Sequence, residues 1–63
     1  MTRTQTFRAA MLAELAAAGA WSARDVFAFA RANGGSEATY AALAWAVSRG
    51  RVAYAPNVWT FVR

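Results

Sequence analysis

At Gly50 the apolar pattern of this chain changes period, once and without return. Before it, large apolar residues recur at helical spacing. After it, two short runs rich in Val and aromatic residues, 51–55 and 58–63, flank Pro56-Asn57. A single switch of this kind predicts a mainly α chain with a C-terminal β-hairpin. The size of the chain sharpens the constraint. Its 63 residues make one domain, residues 1–63, and a domain this small buries only about 60% of the surface that its unfolded chain exposes. Of the hydrophobic residues, eighteen are Ala, which bring little apolar area, whereas nine are aromatic. The core must be built from a few large rings set among small alanine contacts.

Three helices are predicted ahead of the hairpin. The first spans about 6–18, with residues 1–5 frayed and Thr4 or Thr6 as the cap. Phe7, Met11, Leu15 and Ala18 lie on one face, with Leu12 beside them, and Gly19 stands where a left-handed cap residue belongs. The second spans about 23–33 and has the clearest start in the chain. Ser22 is followed three residues later by Asp25, a near capping box, and Trp21 and Val26 have hydrophobic-staple spacing. Val26, Phe27, Phe29 and Ala30 supply its apolar surface, and Gly34-Gly35 allow the chain to turn after Asn33. The third helix, about 36–49, starts at Gly35 or Ser36 and stops at Gly50, with Arg49 in a last turn that suits the helix dipole. The hairpin occupies about 51–62; with Pro56-Asn57 as its loop, Tyr54 faces Trp59 and Val52 faces Phe61 on one side.

Composition excludes several function classes. There is no Cys and no His, so no disulfide, thiolate or imidazole chemistry is available, and neither a zinc site nor another metal or cofactor is expected. Glu14, Asp25 and Glu37 fall on separate helix starts or faces, which leaves no carboxylate pair for acid–base work; catalysis is not expected. Gly34-Gly35 has neither the spacing nor the Lys of a phosphate loop. Glu14, Arg24 and Arg31 interrupt every apolar stretch short of the ~20 residues a membrane span requires. The Arg-bearing, acid-poor start slightly resembles an organelle presequence, but losing it would leave too little chain to fold; a secretory signal is excluded by Glu14. Absence of Cys is compatible with a cytoplasmic location. Seven Arg and no Lys against three acids give a net charge of +4, which suits a nucleic-acid partner, an acidic protein or an anionic surface. A basic amphipathic membrane-surface peptide would need a more strongly charged polar face than the first helix has.

The order of elements and several residues resemble the winged helix-turn-helix superfamily of DNA-binding domains. The residues are Ser22-Ala23-Arg24-Asp25-Val26 at the start of the second helix and the Asn33-Gly34-Gly35-Ser36 turn. Thr39-Tyr40, Leu43, Gly50 and Val52 follow at the expected spacing, and Trp59-x-Phe61 closes the chain. The resemblance covers about residues 6–62. It implies that the third helix lies in the major groove of double-stranded DNA with Ser36, Glu37, Ala38, Tyr40, Ala41 and Ala44 outward, while Thr39, Leu43, Ala46 and Val47 face the core. It further implies that Arg24 meets a phosphate at the start of the second helix, that Arg49 and Arg51 reach phosphates beside the wing, and that the wing with Asn57 at its tip touches the backbone or minor groove. A small transcriptional regulator acting as a homodimer is the expected function, and such a compact regulator would suit a phage or another mobile element. Arg3 and Arg8 would add a basic N-terminal arm, whereas Arg31 and Arg63 read as surface solubility residues.

The outward face of the third helix departs from the family in holding no Arg, Lys, Asn or Gln, the side chains that make bidentate base contacts. An alternative therefore stands beside DNA: a protein-interaction module, or a phage-type inhibitor or adaptor, using the apolar face with Tyr40, Ala41, Ala44 and Trp45. On a helical wheel Trp45 points away from the Thr39–Leu43–Ala46 stripe; either it covers the first helix, or as an exposed Trp it marks a contact with a second protein or a second copy. Trp59 is expected in the core beneath the hairpin.

Overall fold

Three helices and a three-stranded antiparallel sheet make up the computed structural model, which describes residues 2–63; Met1 lies outside the described residues. The elements run α1 (Arg3–Ala18), β1 (Ala20–Ser22), α2 (Ala23–Ala32), α3 (Ser36–Ser48), β2 (Val52–Ala55) and β3 (Val58–Phe61). The mainly α architecture with a C-terminal hairpin matches the reading from the change of period. The radius of gyration, 10.5 Å, is that of a close-packed chain of this length.

Two elements differ from the sequence reading. α1 begins at Arg3 rather than near residue 6, because Thr2 and Gln5 form a capping box: Thr2 Oγ1 accepts from the Gln5 amide at 3.1 Å, and Gln5 Oε1 accepts from the Thr2 amide at 2.8 Å. Thr6 is spent inside the helix, its hydroxyl donating to the Thr2 carbonyl. Residues 3–5 are thus helical, and Arg3 and Arg8 belong to α1 rather than to an arm. The second difference is β1. It pairs antiparallel with β3, Trp21 opposite Trp59, so the sheet order is β1-β3-β2. Gly19, at φ +88° and ψ −44°, is not in the left-handed helical region; it turns the chain out of α1 directly into β1, and its carbonyl accepts from the Phe61 amide at 2.9 Å.

α2 starts as read. Ser22 Oγ accepts from the Asp25 amide at 3.3 Å, and the Asp25 carboxylate accepts from the Ser22 amide at 2.9 Å and its hydroxyl at 3.1 Å. Trp21 before the cap and Val26 within the helix are both buried. Because this cap joins β1 to α2, Ser22→Ala is expected to cost about 1 kcal/mol and lower Tm by about 4–8 °C. A thermal melt followed by circular dichroism checks this; an unchanged Tm would show that the cap adds nothing to the folded state.

α3 ends in a Schellman motif around Gly50, whose φ of +72° lies in the left-handed region that favours glycine. The Gly50 amide donates to Val47 and the Arg51 amide to Ala46, at 3.0 and 2.9 Å. The hairpin register is the one expected, Tyr54 opposite Trp59 and Val52 opposite Phe61. Asn57 takes φ +65° after Pro56, which is the type II turn pattern.

The core collects Met11, Leu12 and Leu15 from α1, Trp21 from β1, Val26 and Phe29 from α2, Ala42, Leu43 and Ala46 from α3, and Val52 from β2. Phe29 is the aromatic hub: its ring lies 5.1 Å from Trp21 and 5.7 Å, edge-on, from Phe7. Buried Thr39 satisfies its hydroxyl by donating to the Gly35 carbonyl at 2.9 Å. Phe27 and Val47, expected on apolar faces, are instead 59% and 37% exposed, and Ala18 is exposed too. α2 buries only its Val26–Phe29–Ala30 row, and Phe27 stands to one side of it. α3 meets α1 and α2 on the Ala42–Ala46 side of its stripe, which rolls Val47 outward toward the hairpin. Arg63 is exposed as expected, and its guanidinium also donates to the Ala16 carbonyl at 2.9 Å, satisfying an acceptor in the last turn of α1.

Candidate nucleic-acid interface

The outward face of α3 is exposed where the sequence placed it. Ser36, Glu37, Tyr40, Ala41 and Ala44 are all solvent-accessible. Gly35 caps the helix without a side-chain hydrogen bond, so Ser36 is its first helical residue and its hydroxyl makes no cap. Glu37 lies in the first turn, where a carboxylate favours the helix dipole; that is a structural role beside any contact with a base. The surface between these residues is methyl groups, with Tyr40 at one edge.

The arginines are distributed unevenly around it. None stands three or four residues from an acid on its own helix, so no local ion pair occupies them. Arg49 and Arg51, on either side of Gly50, line a cleft of about 350 Å³ together with Arg8, Gln5 and Trp45. Arg8 reaches this cleft from α1. Its guanidinium carbon lies 4.4 Å above the Trp45 ring centre, a cation–π contact that holds the charge in place. Sequence reasoning had paired Arg8 with Arg3; nothing local in the sequence signals that packing of α1 on α3 brings it to Arg49 and Arg51. Arg24 is exposed in the first turn of α2, and the neighbouring Asp25 carboxylate is engaged by Ser22. Asn57 is exposed at the hairpin tip.

The suggested protein-contact group, Tyr40, Ala44 and Trp45, does not form one surface. Trp45 is half-buried against the core and faces α1. A wheel places its Cα correctly but takes no account of the indole, which reaches sideways under Arg8. Tyr40 and Ala44 face the hairpin instead. With Val47, Tyr54 and Trp59 they line an apolar groove of about 410 Å³. Trp59 sits half-buried between the two tyrosines, its ring 5.8 Å from Tyr40 and 5.1 Å from Tyr54. Val47, Tyr54 and Trp59 were not assigned to a contact surface from sequence; the exposure of Val47 depends on how α3 is rolled.

α3 is thus flanked by two different surfaces, arginines and Trp45 toward α1, and uncharged aromatic residues toward the hairpin. No helix among the described residues is long and apolar enough to cross a membrane. Comparison with known proteins finds no matching family model, no matching sequence among curated proteins and no matching solved structure.

Proposed function

We propose that the chain is a small winged helix-turn-helix DNA-binding protein, a cytoplasmic transcriptional regulator that holds the duplex chiefly by its backbone. The observation that carries this reading is the convergence of Arg8, Arg49 and Arg51 at the C-terminal end of α3, beside the hairpin. Three guanidinium groups, one from α1 and stacked on Trp45 and two from the turn between α3 and β2, suit phosphodiester oxygens, which accept their paired N–H groups. The order of helix, strand, helix, tight turn, helix and hairpin supports the same reading. α3 would enter the major groove with its alanine face, Arg24 would meet a phosphate over the start of α2, and Asn57 would touch the backbone from the hairpin tip. Ala41 and Ala44 offer at most methyl contacts to thymine, and Tyr40 and Ser36 single hydrogen bonds. Sequence preference would therefore be shallow for one copy, and a homodimer reading two half-sites would deepen it.

The test is fluorescence anisotropy with a labelled duplex of mixed sequence across a salt series. Binding with Kd on the order of 10⁻⁶ to 10⁻⁴ M is expected, with log K falling by about 0.9 per neutralised phosphate for each log unit of salt. Absence of binding at low salt would refute the proposal.

A second reading is favoured by the groove of Tyr40, Ala44, Val47, Tyr54 and Trp59, which has no charged lining residue. On this reading α3 and the hairpin dock an apolar segment of a protein partner, the chain acting as an inhibitor or adaptor. Exposed tyrosines around a central Trp are the composition of interface anchors. Failure to bind DNA would shift the assignment to this groove.

A further inference from the structure

A third concave surface lies on the α1 side of α3, nearer its N-terminal end; of its lining only Arg8 and Ala41 enter the readings above. Its volume is about 570 Å³, within the range of small-ligand sites. One wall is α1, where Arg3 and Phe7, and Thr4 and Arg8, form adjacent rows at i, i+4 spacing on one face. The other wall is Ala38, Ala41 and Ala42 of α3, whose methyl groups leave the seam between the helices unfilled. The turn at Asn33-Gly34 closes one end. Phe7 forms an aromatic wall held by its edge-on contact with Phe29.

No acid lines this cleft, and two arginines do. Arg3 belongs to it alone, whereas Arg8 stands between it and the neighbouring cleft, its guanidinium held over Trp45. An inorganic anion would engage the arginines and leave Phe7 and the alanines wet. A neutral hydrocarbon would cover the apolar walls and leave the cations unused. An amphiphile uses both. We propose that this cleft binds a small organic monoanion, an aryl or short-chain alkyl carboxylate. Its carboxylate lies on the guanidinium groups of Arg3 and Arg8, and its apolar body lies against Phe7 and the alanine wall. This assignment does not rest on DNA binding, although Arg8 and Ala41 are shared with that reading, so the carboxylate and a DNA phosphate would compete for Arg8.

The test is a titration of the ¹⁵N-labelled full chain with 4-phenylbutyrate, with 4-phenylbutyramide as the uncharged control, followed by amide chemical shifts. Saturable shifts centred on Phe7, Gly34, Ala38 and Ala41 are expected, with Kd on the order of a millimolar or tighter. The amide should bind about tenfold more weakly or worse, and so should the acid to an Arg3→Gln, Arg8→Gln variant, since both remove the charge-assisted contact. Ala41→Leu replaces an exposed methyl with a side chain that fills the cleft in a helix-favouring residue. It should weaken binding by about tenfold or more while the remaining spectrum stays native. Any of three results would overturn the proposal: shifts that remain linear to about 20 mM, equal affinity for acid and amide, or unchanged binding by the Ala41→Leu variant. Shifts centred on Tyr40, Val47 and Tyr54 would equally overturn it, by locating the ligand in the hairpin groove.

Discussion

Leu43→Ala is expected to remove about half or more of the stability of the fold. Leu43 is 1% exposed and lies in the cluster where α3 meets the rest of the core. Truncating a buried Leu removes transfer free energy and leaves a cavity, together about 2–5 kcal/mol. A domain of this length has a total stability of about 3–9 kcal/mol at ordinary values per residue. Ala42 and Ala46, which flank Leu43 on the same helix, have no side chain to swing into the gap. The loss should therefore fall toward the upper part of that range. Urea denaturation followed by far-UV circular dichroism measures it. Leu43→Met, which conserves volume, should cost less than about 1.5 kcal/mol and remain folded. Equal stability of the Ala and Met variants would mean that the core is not the close-packed cluster described.

How well the fold could be read from sequence followed the range of the interactions involved. The Ser22–Asp25 cap, the Gly50 stop and the register of the hairpin depend on residues within a few positions of one another, and all three appear in the structure. Thr2 was missed because Thr2, Thr4 and Thr6 are equivalent by residue type; the glutamine three residues after Thr2 was the signal that separates them. β1 was missed for a different reason. Three residues are too few to show a period of two, and Ala20, Trp21 and Ser22 become a strand only because β3 returns beside them from the far end of the chain. The hub made by Phe29 with Phe7 and Trp21 likewise needs three elements to be in place.

The surfaces were read less well than the elements. Arg49 and Arg51 were recognisable as a pair around Gly50, but their joining with Arg8 is a consequence of helix packing. Val47 and Phe27 were read inward because hydrophobicity states what a residue prefers and not which way a helix is rolled. Arg63 is exposed, and its guanidinium also closes the end of α1 from 47 residues away. These side chains are long or lie at the edge of a helical stripe, so a small rotation of the element decides their environment.

The arginine cluster carries the second large expectation. Arg49→Ala combined with Arg51→Ala should weaken binding to duplex DNA by about 100-fold at low salt, about tenfold for each arginine. Both side chains are exposed, which sets the contribution near the low end for hydrogen bonds to charged groups. The double variant should also make the salt slope shallower by about 1.8, twice the increment of about 0.9 per phosphate. The fold should survive, because these positions support it through backbone groups that alanine keeps: the Arg49 amide donates to Trp45 and the Arg51 amide to Ala46. Lower net charge alone would weaken binding to DNA, so the comparison requires a variant with the same net charge. Arg31→Glu, at the end of α2, also removes two units, one for the lost cation and one for the added anion. If Arg49 and Arg51 touch phosphates, Arg31→Glu should leave the slope near that of the unmodified chain while the double variant flattens it. If the two variants weaken binding and change the slope alike, DNA senses only the overall charge. The cleft beneath Arg8 would then have no special standing, and the apolar groove between α3 and the hairpin would become the better account of what this domain recognises.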